Sequence, residues 1–556
     1  MKNIITLVLS LSLTLPIFSQ LPEKLSVDSL FENWNSIDVP GGAISIIKNG
    51  KIIYANGYGS ADLEHDIPIT PSTVFYIGST SKQFVTFCIL LLEEQGKINL
   101  DDKIQNYFPD FPEYGSPLTI RHFIHHTSGV RDYLTLMYLK GRSYLDHSEV
   151  NEVYDLIKNQ SELNFSPGDQ YLYSNSCYFM LALIAEKASG ESLREFAHEN
   201  IFEPLGMNNS LFYDDISDMI KNRAFSYEKT ESGFNNLVSR FDLVGSGGVY
   251  STVQDLALWD QNFYQNKLGK RGQEIIDKMH QEGVLNNGKA AGYAFALING
   301  TYRGLRTVNH GGALAGYRAQ LLRFPDLKFS VIVLANRSDA GSSGKAYSIS
   351  DIFLEDQFIE KVQSEANSKR KNNDIKLSKS QLTKYCASYW NENDSYSRKI
   401  YVKNDTLIYS RGDNNESKMV PISKNEFRME GVAADLIVKF EKTREGVESM
   451  IVTIDNGTPI KSIAYEPLTY GVKEYKKYEG SYYSKELNVN YDLMIANGQL
   501  ILYVNGKEIS TMEAVRENTL SSGDFGVFEF FDSTADSIEG FKLMAGRVRN
   551  LKFIKN

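Results

Sequence analysis

One short phrase occurs twice in the chain at a fixed distance. Lys384-Tyr385-Cys386-Ala387-Ser388-Tyr389 returns as Lys477-Tyr478-Glu479-Gly480-Ser481-Tyr482, displaced by 93 positions. The turn pairs Asn404-Asp405 and Asn497-Gly498, each flanked by alternating apolar residues, carry the same displacement. Two matches at one offset point to a duplicated unit, and the alternation is the period of a half-buried strand. Asx-Gly and Asx-Asp pairs between such runs fix hairpin register. Residues 379–470 and 471–556 are therefore expected to form two antiparallel β-barrel-like modules in tandem. Residues 362–378, charged and poor in apolar side chains, read as the linker in front of them.

Residues 20–361 read differently. Residues 42–58 form a hairpin pattern around Asn49-Gly50. A helix is expected over 79–95, stopped by Gly96. From about 100 to 225 the text is mostly helical, punctuated by Pro109, Pro112, Pro117, Pro167 and Pro204. Strand patterns return at 293–297, 306–309, 319–324 and 330–335, with a helix at 348–360. Strands at both ends of a helical insertion predict an α+β unit, an antiparallel sheet flanked by helices with a helical subdomain.

The first 19 residues read as a secretory signal peptide: Lys2, an apolar or hydroxylic run over 4–18, and a small Ser19 before Gln20. The run is shorter than the ~20 residues a spanning helix needs. No later apolar run could span a membrane, so a secreted or periplasmic location is expected. Net charge is -10 with no Lys/Arg block, which argues against a nucleic-acid or anionic-membrane partner. Cys88, Cys177 and Cys386 are an odd set and give no disulfide framework. The adjacent His125 and His126 read as structural, and no metal-ligand spacing occurs.

The chemistry-bearing candidates begin with Ser-x-x-Lys. It occurs at Ser45, Ser79, Ser226, Ser342 and Ser368. Ser45 and Lys48 lie on a strand pattern, where i and i+3 face opposite ways. Ser226 precedes no helix pattern, Ser342 falls in a Gly/Ser loop, and Ser368 in the linker. Ser79 opens a helix that carries Lys82 one turn along on the same face. A lysine held neutral could take the serine proton; a capping serine beside a surface lysine would look the same. Tyr173-Ser174-Asn175 stands at a loop-to-helix junction, where a phenol could relay a proton and an amide could bind substrate, or both could simply pack. His310-Gly311-Gly312 ends a strand, so an N–H there could join that of Ser79 in an oxyanion hole.

Gly78-Ser79-Thr80-Ser81-Lys82, Tyr173-Ser174-Asn175 and His310-Gly311-Gly312 together resemble, in order and spacing, the three motifs of class C β-lactamase and penicillin-binding-protein-like serine hydrolases. Pro40-Gly41-Gly42, Thr119 to His122, His126 to Gly129, Phe202 to Met207 and Gly247 to Thr252 look like the same family, over about residues 25–360. The resemblance implies that Ser79 forms an acyl-enzyme and that Lys82 and Tyr173 share the proton work. It implies that Asn175, His310, Gly311, Gly312 and Ala313 bind substrate, with the N–H groups of Ser79 and Ala313 on the oxyanion. It implies no cofactor and no metal, and a small-molecule or short-peptide substrate. His-Gly-Gly in place of Lys-Thr-Gly is similar to D-aminopeptidases and esterases of the family, and the two trailing modules resemble the arrangement of its D-aminopeptidase-type members; Arg318 is the nearby candidate for a substrate-binding cation. The implied activity is cleavage of an amide or ester. The alternatives are a β-lactamase, and a penicillin-binding or sensing protein that acylates but turns over slowly.

Overall fold

The computed structural model describes residues 22–143, 145–359, 375–392, 396–411, 415–430, 436–454, 459–534 and 537–556. The expected signal peptide, most of the expected linker and Ser368 lie outside the described residues.

Six strands build the sheet of the first unit: β1 (Gly42–Lys48), β2 (Lys51–Tyr58), β3 (Ile298–Tyr302), β4 (Leu305–Leu314), β5 (Tyr317–Phe324) and β6 (Phe329–Ala335). All pairings are antiparallel and the order is β3-β4-β5-β6-β1-β2. Asn49 and Gly50 both adopt positive φ (51° and 78°), the twist-matched turn that the Asn-Gly pair predicts. Both faces are covered, so period-2 alternation sorts apolar residues between two cores. Ile44, Ile46, Val331, Val333 and Leu322 face one core, with Phe31 and Trp34. Ala43, Ile47, Leu321, Ile332 and Leu334 face the other, with the helices α1 (Lys82–Glu94) and α2 (Asn175–Ser189). Both are well populated with buried apolar side chains, and α2 stops at Gly190, whose φ of 84° suits only glycine at a left-handed C-terminus.

Two expected elements fall elsewhere. Residues 293–297 are a buried irregular segment, with Ala296 at φ 58°, and the strand begins at Ile298. Continuous apolar character without alternation marks burial, not extension. The helix expected over 348–360 is Ser342–Leu354: Gly341 in a left-handed conformation starts it and Gly344 lies inside it. Ser342 and Lys345 thus do share a helix. Lys345 nonetheless turns away, donating to the Leu30 carbonyl (2.7 Å).

The first repeat is a closed eight-stranded barrel, from Ala387–Asn391 to Ile460–Tyr465. The second is a nine-stranded sheet whose edge strands, Lys507–Thr511 and Glu513–Arg516, are joined through Met512. Met512 N–H donates to the Leu500 carbonyl (2.8 Å), extending the pairing of Lys507–Thr511, and the one-residue link holds the two edges close together. The shared phrase has one structural job in both copies. Tyr389 hydroxyl donates to the Tyr385 carbonyl (3.0 Å), and Tyr482 hydroxyl to the Tyr478 carbonyl (2.7 Å).

The two repeats are placed unequally. The first barrel keeps its own core around Tyr389, Phe427 and Phe440. It touches the second module through Arg516, which donates to Glu392 (3.0 Å) and lies over the Trp390 ring. The core of the second module, by contrast, is continuous with that of the first unit. Tyr491 hydroxyl crosses between them to the Leu139 carbonyl (2.7 Å) and Asn505 to the Lys140 carbonyl (3.0 Å). Among the described residues no helix is long and apolar enough to cross a membrane.

Candidate active site

Ser79 lies in a 3₁₀ turn, Gly78–Ser81, that runs directly into α1 at Lys82. In a 3₁₀ turn, residues i and i+3 eclipse each other, which sets Lys82 under Ser79 more directly than the α-helical spacing expected there. Lys82 Nζ lies 3.0 Å from Ser79 Oγ. It also donates to Asn175 Oδ1 (3.0 Å) and to the Ser246 carbonyl. Lys82 is fully buried. Burial, then the nearby positive charge of Arg547, holds its pKa well below the usual lysine value, against smaller opposing effects of Asp132 and Cys177. A neutral amine has two N–H groups and one lone pair. With Asn175 Oδ1 and the Ser246 carbonyl taking its N–H groups, such an amine would keep its lone pair for the serine hydroxyl.

Tyr173 brings its phenol to the same point from the loop before α2. Its oxygen is buried and has no hydrogen-bond partner among the described residues. Burial raises its pKa above 10, eased by the adjacent Ser79 hydroxyl and Arg547. Lys82 Nζ stands 4.9 Å from the Tyr173 ring centre. The ring also meets that of His126, centres 4.1 Å apart. His126 Nδ1 accepts from Ser174 N–H (3.1 Å), so this histidine, at a left-handed φ of 55°, sets the Tyr173-Ser174 backbone. Burial keeps it neutral.

β4 passes along the opposite wall. Gly312 there is forced by close approach. A Cβ on Gly312 would fall 1.9 Å from the Ile77 carbonyl oxygen and 2.9 Å from the Ser79 amide nitrogen; one on Gly78 would fall 2.5 Å from the Ala313 nitrogen. The amide groups of Ser79 and Ala313 thus border one small space. His310 is buried, with Nδ1 donating to the Gly311 carbonyl (2.6 Å) and Nε2 accepting from the Tyr293 hydroxyl (2.9 Å). Both ring nitrogens are engaged in a way that suits the neutral ring. Burial holds its pKa down to about 4. Arg318, the cation expected nearby, donates one nitrogen to the Ala315 and Tyr317 carbonyls (2.8 and 2.7 Å).

Of the expected site residues, Ser79, Tyr173, Asn175, His310, Gly311, Gly312 and Ala313 line one cleft of about 1010 Å³, and Lys82 lies behind it against Ser79. Three contributors were not read from the sequence. Asp132 caps the helix Tyr133–Leu139, accepting from Thr135 N–H (3.0 Å). Its other oxygen receives both Asn175 N–H (2.6 Å) and Asn175 Nδ2 (2.8 Å), which aims the Asn175 carbonyl oxygen at Lys82. An aspartate before an apolar helix is a cap signal, so its place was legible though its role was not. Ser246 supplies a backbone carbonyl, which no side-chain pattern announces. Arg547 enters from the second C-terminal module, its guanidinium 4.7 Å over the Tyr173 ring and 3.6 Å from Asp132 Oδ2.

A family model described as Beta-lactamase matches residues 27–351. Penicillin-binding protein 4* of Bacillus subtilis (strain 168) is 28% identical over 456 residues, covering 78% of this chain and 97% of that protein. A D-aminopeptidase of Brucella anthropi is 31% identical over 317 residues, covering 57% of this chain and 59% of its own length. Among solved structures, the octameric penicillin-binding protein homologue from Pyrococcus abyssi superposes with a TM-score of 0.56 at 23% identity, covering 79% of this chain and 99% of that one. At that identity the likeness is one of fold.

Proposed function

Because the chain belongs to the beta-lactamase family, we propose that it is a serine hydrolase that opens an amide or ester bond through an acyl-enzyme on Ser79. The observation that carries the reading is the buried Lys82 amine, 3.0 Å from Ser79 Oγ with its N–H groups directed to Asn175 and Ser246. In the first half-reaction Ser79 Oγ attacks the carbonyl carbon while its proton passes to Lys82. The oxyanion takes hydrogen bonds from the Ser79 and Ala313 amides. Collapse breaks the bond to nitrogen or oxygen, and the leaving group departs with a proton relayed through Tyr173 or Lys82. Water then attacks the acyl carbon, loses its proton to the same pair and frees Ser79.

The D-aminopeptidase relative favours a small substrate with a D-residue beside the scissile amide, with esters as the simpler surrogates. A second reading keeps weight from the longer match to penicillin-binding protein 4*: acylation by a β-lactam with slow release. A secreted or periplasmic site of action rests on the apolar start of the sequence alone.

The test is a panel of D-residue amides, nitrophenyl esters and a chromogenic cephalosporin, with Ser79→Ala as control. Wild-type turnover with a loss of at least ~10³-fold in the variant supports the hydrolase. Label accumulating on Ser79 without steady product favours slow acylation. Wild-type rates in Ser79→Ala reject both.

A further inference from the structure

The cleft contains a cation that the first unit does not supply. Gly546 and Arg547 form the turn between the strands Ser537–Ala545 and Val548–Lys555 of the second module, and both line the cleft with Ser79. The turn is fastened by its backbone. Asn164 Nδ2 donates to the Arg547 carbonyl (3.0 Å), and Arg549 N–H donates to Asn164 Oδ1 (2.8 Å). Arg131 Nε donates to the Arg549 carbonyl (3.0 Å). The Arg547 side chain is left to project over Tyr173.

Its side chain is 43% exposed and, among the described residues, the guanidinium donates no hydrogen bond. Asp132 stands beside it at 3.6 Å, 1% exposed, with its oxygens already accepting from Asn175 and Thr135. That carboxylate steers the guanidinium electrostatically and leaves its N–H edge unspent. Five donors in a planar fork, fixed at the mouth of a catalytic cleft, match one ligand chemistry best: a carboxylate, held by two parallel hydrogen bonds. The opposite wall offers no competing charge at His310, which is neutral there.

We propose that Arg547 is a specificity-determining residue that binds a carboxylate of the substrate, so that the second C-terminal module supplies the anion-reading part of the site. The proposal rests on hydrolysis through Ser79. It makes the favoured substrate an acyl donor with a free carboxylate on the acyl or the leaving-group arm.

Two matched pairs test it on the full chain. Nitrophenyl hemiglutarate against nitrophenyl valerate places the carboxylate on the acyl arm. An N-acyl-D-alanyl-D-alanine against its C-terminal amide places it on the leaving group. Wild type is expected to favour the carboxylate in at least one pair by about tenfold or more in kcat/KM, the size of a lost charge-assisted hydrogen bond. Arg547→Met is expected to erase that preference and Arg547→Lys to keep part of it, since lysine retains charge without the fork. Thermal shift of Ser79→Ala by N-acetyl-D-alanine against its amide reads binding without turnover and should show the same dependence. Equal efficiency within both pairs, or a preference retained by Arg547→Met, overturns the proposal and leaves the Ser79 reading standing. Hydrolysis undiminished in Ser79→Ala overturns both.

Discussion

Glu486→Ala removes one partner of an ion pair that joins the second module to the first unit. Arg131 is 0% exposed at its side chain and Glu486 8%. The guanidinium also reaches Gln160 Oε1 (2.9 Å), the Arg549 carbonyl (3.0 Å) and Glu162 (3.3 Å). The Glu486 carboxylate accepts in addition from Ser161 N–H (3.0 Å). The substitution therefore strands a buried cation and an N–H together. Breaking a buried pair costs roughly 3–5 kcal/mol, and the half-exposed Glu162 offsets part of it, so a loss of about 3 kcal/mol is expected. The control is the double variant Arg131→Met with Glu486→Leu, in which no buried charge is left unpaired, though Ser161 N–H and Gln160 still lose a partner. It should recover part of the loss, because apolar replacement of a buried pair is close to neutral. Urea unfolding of wild type, Glu486→Ala and the double variant gives a midpoint and slope for each. The shared core predicts that the first unit and the second module unfold in one transition. Ester hydrolysis followed through the same titration should fall in step. A Glu486→Ala protein within ~0.5 kcal/mol of wild type at unchanged slope would refute the assignment of docking energy to this pair.

Gly312→Ala should lower kcat/KM at least ~100-fold, because the added Cβ meets the Ile77 carbonyl at 1.9 Å and two backbones must part; Gly311→Ala meets only the flexible Gln320 amide and should cost far less. Tyr173→Phe should lose roughly 10²–10⁴ in kcat with little change in KM, as for a proton relay. The pH profile of kcat/KM should carry an acid limb from Lys82: activity rises as pH climbs through its lowered pKa, since the neutral amine is the base. Arg547→Met removes a positive neighbour, lifts that pKa and moves the limb to higher pH. Tyr173 stays protonated to beyond pH 10 and His310 stays neutral above about 4; a limb near 6.5 that vanished in His310→Gln would contradict this account.

The candidate triad was legible because each member sits in a local motif. Ser79, Lys82, Tyr173, Asn175 and the run from His310 to Ala313 are all drawn into one cleft. The turn type around Ser79 was not legible, since Ser-x-x-Lys serves a 3₁₀ turn and an α-helix equally. The irregular 293–297 segment was misread because a buried loop and a buried strand share composition. The tandem repeat was visible as the phrase around Tyr385 and Tyr478, but its asymmetry was not. Which copy docks is decided by Tyr491, Glu486 and Asn505, whose partners are hundreds of residues away and follow no spacing rule. Arg547 was hidden for the same reason.

The Arg131–Glu486 contact spans 355 positions of chain. At the ~5–20 residues per second of protein synthesis, the arginine emerges roughly 20–70 s before the carboxylate that neutralises it. Throughout that interval the helical subdomain holds a guanidinium with nowhere dry to settle, on a surface that the later module must cover. A nascent chain halted before Glu486 should therefore display an apolar, positively charged flank and bind a holdase; release should follow translation of the segment that carries Arg547.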